Sequence, residues 1–161
     1  LLNDFYPGDL RRSVLIKETK KGTQTVYYTL KWPGAKGAFG LDDIMIIRIS
    51  EVYLNRAEAR AMQSGKEALA LQDLNRIHER AGLAPLVGLT GQALIDAIQR
   101  ERRLELAFEG HRLYDLLRWG RDVIKTPAVA SLDWDDYRLI APIPQGEIDV
   151  NPNLNPQNPG Y

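Results

Sequence analysis

Helical periodicity interrupted by glycine is the feature that most constrains the fold of this chain. From Ser50 to Gly120, apolar residues recur at every third or fourth position, which is the spacing of one face of an α-helix. Gly65, Gly82 and Gly110 interrupt the pattern, and glycine is common immediately after the end of a helix. Short amphipathic helices joined by tight turns pack as antiparallel hairpins. The sequence therefore predicts a mainly α-helical fold.

The first two predicted helices make one hairpin. The first begins with Ser50 as its N-cap and stops at Gly65, and the second occupies 66–82, with Pro85 shortly beyond it. The hairpin spans about one tetratricopeptide period of roughly 34 residues. We expect its buried face to contain Val52, Leu54, Ala57, Ala61, Met62, Ala68, Leu71, Leu74, Ile77 and Ala81.

A second hairpin is predicted directly after the first. Its first helix begins near residue 90 and continues to Glu109, after which Gly110 breaks it and a shorter helix runs to Gly120. The buried side of the longer helix is expected to contain Leu94, Ile98, Leu104 and Phe108. Residues 50–120 are thus predicted to be tandem tetratricopeptide-like helical hairpins.

Loop-rich flanks are expected on both sides of the helices, at 1–49 and 121–161, within a single domain of residues 1–161. The residues at 26–32 favour one or two short strands, and the glycine-rich stretch 34–40 favours a flexible turn. Prolines in the last flank argue against regular helix there. The same flank has sparse apolar anchors at Ile143, Ile148, Val150 and Leu154. Such anchors predict an ordered Pro/Asn-rich C-terminal tail rather than a disordered one.

Composition excludes several classes of function. Lysine and arginine number 21, as do aspartate and glutamate, so no net charge attracts nucleic acid or an acidic membrane surface. The absence of cysteine excludes disulfides, thiol nucleophiles and thiolate metal sites. No stretch approaches the roughly 20 apolar residues of a membrane span. No glycine-rich phosphate loop is present, and no cofactor is predicted.

Three glutamates spaced four residues apart stand out in the segment ERRLELAFEGHRLYDLLRWG at 101–120. One interpretation makes two of these glutamates the acid and base of a glycosidase, since such enzymes use a pair of carboxyl groups. Arginines lie close by, however, and a paired arginine lowers the pKa of a carboxyl group, which disfavours that group as a general acid. We therefore predict a structural ion-pair network and no catalytic residues. Its members are Glu101, Arg102, Glu105, Glu109 and Arg112, with Arg103 close enough to contribute.

No metal site is predicted. His111 lies two residues after Glu109, and His78 is adjacent to Glu79, so neither pair has the i, i+3 or i, i+4 spacing of helical metal ligands. The aspartates at 42–43 and 133–136 offer oxygen ligands for calcium but lack the spacing of an EF-hand. We expect them to cap turns and helices.

Three sequence blocks resemble the C-terminal part of the SusD/RagB family. They are RISEVYLNRAEARA at 48–61, ERRLELAFEGHRLYDLLRWG at 101–120 and APIPQGEIDVNPNLNPQNPGY at 141–161, in this order. The last block is specific, and YPGDLRRS at 6–13 extends the likeness loosely toward the start of the chain. The resemblance implies a mostly helical scaffold of tetratricopeptide-like hairpins, which agrees with the periodicity.

The function implied by this resemblance is glycan binding at the bacterial cell surface. Family members are lipoproteins of the outer membrane in Bacteroidetes-type bacteria, and they pass oligosaccharide or starch-like polysaccharide to a TonB-dependent transporter without catalysis. The resemblance further implies that this chain is the C-terminal portion of a longer protein whose lipid anchor and addressing signals lie upstream. A helical-repeat scaffold that docks a protein partner, with no direct carbohydrate contact, is the alternative.

Two tryptophans are candidate ligand-binding residues under this interpretation, because a flat aromatic ring fits the C–H face of a pyranose. Trp32 stands beside Pro33 and Trp134 beside Asp135, and both settings resemble loops. An indole in a short strand often packs inward instead. Whether these two rings contact sugar depends on their exposure in the fold.

Overall fold

The fold is described from a computed structural model that covers residues 1–34, 42–125 and 129–161. These residues group into two compact units, Leu1–His111 and Arg112–Tyr161. The described chain is mainly α-helical with one two-stranded sheet, as predicted. None of the described helices combines the length and the apolar character that crossing a membrane requires. That the whole chain forms a single domain stays a prediction.

The first unit opens with a short helix and a β-hairpin. Helix α1 (Leu10–Leu15) leads directly into strand β1 (Ile16–Lys21), which pairs antiparallel with strand β2 (Gln24–Thr29). The sequence predicted one or two short strands in this flank, and both are present. The predicted flexible turn at 34–40 lies, apart from Gly34, outside the described residues.

Three longer helices form the body of the first unit. They are α2 (Ile49–Ala61), α3 (Glu67–Arg80) and α4 (Gly91–Glu105). Helices α2 and α3 pack along one another as the predicted hairpin, and α4 packs against both. Gly65, in the turn between α2 and α3, has a φ of +75°, a left-handed conformation that glycine adopts without steric cost.

Apolar side chains from all three helices close the core of the first unit. Leu54 from α2, Leu74 from α3, and Leu94 and Ile98 from α4 are fully buried. Burial of each such side chain contributes about 1.5–3 kcal/mol to stability. Ala57, also fully buried, occupies little space and so allows the backbone of α2 to approach its neighbours closely.

Some residues predicted to face the core are exposed instead. Val52, Met62 and Phe108 are 46%, 64% and 43% exposed, and Ala68 is exposed as well. Val52 lies two positions from the buried Leu54, and residues two apart on a helix point to nearly opposite sides. Met62 follows the end of α2 and Phe108 follows the end of α4, so helical spacing does not decide where their side chains point.

Two helix boundaries differ from the prediction. Helix α2 starts one residue before Ser50 and has Arg48 at its N-cap, so the prediction that Ser50 caps this helix is wrong. Helix α4 ends at Glu105, before its predicted end. Phe108 and Gly110 then have φ angles of +64° and +83°. These left-handed conformations are incompatible with a continuing right-handed helix.

The described part of the second unit contains two further α-helices. Helix α5 (Arg112–Arg118) is the short helix predicted before Gly120. Helix α6 (Gln145–Val150) lies between Pro144 and Pro152, so the expectation that prolines exclude regular helix from this flank is wrong. Proline breaks a helix only at interior positions, and here one proline precedes the helix and the other follows it.

The C-terminal tail is ordered, as predicted. Gln157 Oε1 accepts a hydrogen bond from Ile143 N, and Gln157 Nε2 donates one to Ile143 O, each at 2.8 Å. Tyr161 OH donates to Ile140 O at 3.1 Å, and the Tyr161 ring meets Tyr137 edge-on with the ring centroids 5.3 Å apart. Polar side chains therefore connect the end of the chain to the segment before α6.

The predicted apolar anchors of the tail contribute unequally. Ile148 is buried, whereas Ile143 and Leu154 are half-buried. Val150 is 79% exposed, so the expectation that it anchors the tail is wrong. Hydrogen bonds from amide and hydroxyl side chains supply the remaining order.

Candidate functional site

The carboxylate row, Glu101, Glu105 and Glu109, contains the acidic residues that the sequence singled out. Glu101 and Glu105 lie in the last turns of α4, and Glu109 follows the helix. Glu101 is 0% exposed and Glu105 is 4% exposed, and the side chain of Glu109 is nearly covered as well. Carboxylates this far from water need partners, because burial of an unpaired charge is costly.

Arg11 and His78 are the partners of Glu101. Arg11 Nη1 donates to Glu101 Oε1 at 2.7 Å, and His78 Nδ1 lies 3.0 Å from Glu101 Oε2. Asp9 orients Arg11, because it accepts hydrogen bonds from Arg11 Nε at 2.9 Å and from Arg11 Nη2 at 2.8 Å. The ring of Tyr6 meets the ring of His78 edge-on, with centroids 4.9 Å apart. These contacts connect the N-terminal segment to α3 and α4.

Glu105 is surrounded by guanidinium groups. Arg48 and Arg80 both donate to Glu105 Oε1, and Arg11 Nη1 lies 3.3 Å from Glu105 Oε2. Burial raises the pKa of Glu105, but the hydrogen bonds and charges of Arg48 and Arg80 outweigh burial and lower this pKa to about 2. Glu105 is therefore ionised at neutral pH.

Arg48 also connects Glu105 to Glu109. Arg48 Nε donates to Glu109 Oε2 at 2.8 Å, and Lys31 Nζ forms an ion pair with Glu109 Oε1. Burial raises the pKa of Glu109, but the hydrogen bonds and charges of Arg48 and Lys31 outweigh it, so the pKa is lowered. Because Arg48 precedes α2 and Glu105 ends α4, their ion pair links the start of one helix to the end of the other.

These pKa shifts make Glu105 and Glu109 unsuited to acid–base catalysis. A general acid must carry a proton near the operating pH, whereas lowered pKa values keep Glu105 and Glu109 ionised. Arginine-paired carboxylates hold the geometry of a fold, but they neither donate a proton nor act as strong bases. The chemistry available to this row is therefore ion pairing.

The cationic partners of the row are mostly not those nearest in sequence. In the contacts described, Arg102 donates to Asn55 Oδ1 and Arg103 pairs with Asp4 at 2.9 Å. Arg112 begins α5 and belongs to the second unit. The cations paired with the row include Arg11, Arg48, Arg80 and Lys31. No local spacing indicates these residues, because only the packing of distant elements brings them to α4.

Trp32 lines a hollow of about 420 Å³ in the first unit. The lining residues are Trp32, Asp42, Ile44, Met45, Phe108 and Glu109. Trp32 Nε1 donates to Phe108 O at 3.0 Å, and Asp42 Oδ2 accepts a backbone N–H at 2.7 Å. Glu109 is already paired with Arg48 and Lys31. Because the polar side chains that line the hollow have partners, the hollow offers a ligand mainly apolar surface.

A larger hollow of about 810 Å³ surrounds Trp134 in the second unit, and we call it the Trp134 hollow. It is lined by Arg112, Leu116, Gly120, Arg121, Asp122, Ile124, Asp133, Trp134 and Asp135. The indole of Trp134 is 52% exposed. Volumes of about 300–1,000 Å³ are typical of small-molecule sites. The structure therefore places the two candidate tryptophans in separate hollows of different character.

Two of the aspartates considered as calcium ligands, Asp42 and Asp136, accept hydrogen bonds in turns. Asp136 accepts hydrogen bonds from the backbone N and the side chain of Arg138, and these bonds lower its pKa to about 2. Asp42 accepts a hydrogen bond from Gly34 N. Within residues 1–34, 42–125 and 129–161, no group of three or more histidine and acidic side chains is arranged to hold a metal ion.

Comparison with known proteins leads to the same family as the three sequence blocks. The sequence profile of the SusD family matches residues 10–140. The chain belongs to the SusD family. The starch-binding protein SusD of Bacteroides thetaiotaomicron is 36% identical over 127 residues, which are 74% of this chain and 22% of that protein. The family resemblance inferred from the sequence is therefore confirmed.

Solved structures of SusD relatives share the fold. A SusD superfamily protein from Bacteroides vulgatus matches 96% of this chain and 36% of its own, with a TM-score of 0.80 and 34% identity. Surface glycan-binding protein A from Bacteroides uniformis matches 98% of this chain and 39% of its own, with a TM-score of 0.77 and 25% identity. The predicted helical-hairpin class is confirmed.

The chain spans 25% and 28% of the length of two SusD-like relatives from Formosa agariphila.

Proposed function

We propose that this chain is the scaffold part of a cell-surface glycan-binding protein, which acts by binding without catalysis. The observation that carries the proposal is the SusD family match over residues 10–140. Two of the similar proteins are named for binding starch and surface glycans. The proposed ligand class is oligosaccharide or polysaccharide, with starch-like glycans among the candidates.

The carboxylate row supports a scaffold role for the first unit. Through Arg48 it links the start of α2 to the end of α4, and through Arg11 it links the N-terminal segment to α4. Side chains locked in such ion pairs maintain the shape of a binding protein. Because Glu105 and Glu109 are ionised and all three carboxylates are paired with cationic side chains, the row favours binding over glycoside hydrolysis as the activity.

The proposed setting is the outer surface of the outer membrane. There the whole protein passes oligosaccharide to a TonB-dependent transporter, and a lipid anchor upstream of this chain attaches it to the membrane. The family resemblance of the three sequence blocks supports this setting. Nucleic acid is not a proposed partner, because the formal net charge of the chain is 0.

Calorimetric titration of the purified protein tests the glycan-binding proposal. Maltoheptaose, laminarihexaose and xylohexaose are suitable neutral probes because they differ in linkage and sugar. Saturable heat from at least one probe is the expected result. Absence of binding to every member of a broader panel, with a protein that unfolds cooperatively on heating, would overturn the proposal.

A scaffold that docks a protein partner without touching carbohydrate is the second candidate. The segment at 44–47 favours it, because Ile44, Ile46 and Ile47 are 78%, 83% and 73% exposed. Contiguous exposed apolar surface often marks a protein contact. If the chain is such a docking scaffold, replacing Ile46 and Ile47 with serine abolishes co-purification with the TonB-dependent transporter. In that case no sugar binds the purified wild-type protein. Under the leading proposal, sugar binding is present and survives the serine replacements.

A further inference from the structure

We propose that the Trp134 hollow is a binding subsite for a neutral pyranose oligosaccharide, with the indole of Trp134 as its stacking surface. This inference rests on the proposed glycan-binding function and adds to it a site, a ligand class and named residues. Three features carry it. The ring is half-exposed on a backbone that hydrogen bonds position, hydrogen-bonding groups beside it are available, and the charge of the lining disfavours acidic sugars.

Hydrogen bonds position the backbone that carries Trp134. Val123 and Leu132 form an antiparallel bridge with N–H···O distances of 2.9 and 3.1 Å. Asp122, next to this bridge, accepts a hydrogen bond from Trp134 N at 3.0 Å. A Cβ atom added at Gly120 would lie 4.0 Å from Trp134 Cδ2, so the ring lies near Gly120. A backbone position fixed in this way loses little conformational freedom when a ligand binds.

The exposed part of the indole offers both an apolar face and a donor. Trp134 is 52% exposed, and its Nε1 has no hydrogen-bond partner among the described residues. Trp32 differs, because its Nε1 already donates to Phe108 O. A pyranose presents C–H groups on its faces and hydroxyl groups around its rim, so it matches an aromatic surface with a polar edge. The Trp134 ring is therefore the better stacking surface of the two.

Carboxylates beside the ring can accept hydrogen bonds from sugar hydroxyls. Asp133 and Asp135 line the hollow, and neither side chain has a hydrogen-bond or ion-pair partner within residues 1–34, 42–125 and 129–161. An ionised carboxylate accepts through two oxygens, and its hydrogen bonds are about twice as strong as those between neutral groups. Aspartates in this position can bind adjacent hydroxyl groups of one sugar ring.

The charges of the lining distinguish neutral sugars from acidic ones. Three carboxylates line the hollow, those of Asp122, Asp133 and Asp135, against two guanidinium groups, those of Arg112 and Arg121. A uronate or sulfate group entering the hollow would meet the available carboxylates of Asp133 and Asp135 and be repelled. A neutral pyranose meets no such repulsion. The lining therefore favours a neutral oligosaccharide.

Calorimetry and NMR on the purified protein test this subsite. Maltoheptaose, laminarihexaose and xylohexaose are the neutral probes, and oligogalacturonate is the acidic probe. Trp134→Ala is expected to weaken binding of the best neutral probe at least about tenfold, as for aromatic anchors that become buried on binding. Trp134→Phe keeps a flat ring and should weaken it by about threefold or less. Tyr114→Ala removes a 72% exposed aromatic side chain that does not line the hollow, and this matched control should bind like the wild type.

The indole N–H resonance of Trp134, assigned with the Trp134→Phe variant, is the second readout. It should shift when a neutral probe saturates the protein. If the protein binds a neutral probe but this resonance does not move, or a folded Trp134→Ala variant binds equally well, the subsite is wrong while the glycan-binding function stands. Tighter binding of oligogalacturonate than of every neutral probe would overturn the ligand class. If neither these probes nor any member of the broader glycan panel binds the wild-type protein, the subsite and the proposed function fail together.

Discussion

Replacement of Glu105 with glutamine should destabilise the protein strongly at neutral pH. The substitution keeps the size of the side chain but removes the negative charge shared by Arg48, Arg80 and Arg11. Glu105 is almost completely buried, so water cannot replace the lost charge. The guanidinium groups around it would be left close together without their common partner.

The size of this effect follows from the pKa of Glu105. Its pKa is about 2 in the folded protein, compared with an ordinary value of 4.5. One pKa unit corresponds to about 1.36 kcal/mol, so the ionised side chain contributes roughly 3 kcal/mol to the free energy of unfolding. Because the folded pKa is the lower of the two, the contribution is fully present above about pH 5 and is lost as the pH falls through about 2. The same relation leaves roughly 1 kcal/mol at about pH 3.

Urea unfolding followed by far-UV circular dichroism measures this contribution. The free energy of unfolding of Glu105→Gln should be lower than that of the wild type by about 3 kcal/mol near pH 7 and by only about 1 kcal/mol near pH 3. Glu79→Gln is the matched control, because Glu79 is an exposed glutamate on α3, and it should stay within about 0.5 kcal/mol of the wild type. A loss below about 1 kcal/mol near pH 7, or one that does not shrink in acid, would refute the reasoning.

Two further predictions concern the core and the turn after α4, and both are measured by urea unfolding. Leu74→Ala should lower the free energy of unfolding by about 2–5 kcal/mol because Leu74 is fully buried, whereas Phe108→Ala should lower it by only about 1 kcal/mol. Equal losses would contradict the assigned burial. Gly110→Ala should cost about 1–2 kcal/mol because Gly110 has a φ of +83° with open space around it, whereas Gly146→Ala, in similar open space without a positive φ, should cost nothing. A neutral Gly110→Ala would remove the backbone explanation.

Local spacing was sufficient to predict the longer helices, but not their ends. Helices α2, α3 and α4 lie where the apolar period and the glycines placed them, because a helix depends on residues only a few positions apart. Phe108 was assigned to a helix face although α4 ends at Glu105, and the end of a helix depends on backbone conformations that periodicity does not report. Helix α6 was not predicted, because a helix of six residues is too short to show an apolar period.

The two candidate tryptophans look alike in the sequence but differ in the structure. In the sequence, Trp32 and Trp134 have equivalent loop-like settings. Folding separates them, because one indole N–H donates to Phe108 O while the other indole stays half-exposed at the edge of an open hollow. Exposure and hydrogen bonding depend on neighbours in space, so no linear pattern distinguishes the two rings.

The sequence by itself determined that the chain is helical and that it carries the motifs of the SusD family. It also determined that closely spaced acidic residues near the end of α4 would need positive partners. Only the tertiary structure decided which of the 21 lysines and arginines supply them. Arg11, Arg48 and Arg80 reach Glu105 from three different parts of the chain. Because the carboxylate row is buried, its charges must be paired. Helix packing selects the partners, because it brings together residues that are distant in the sequence.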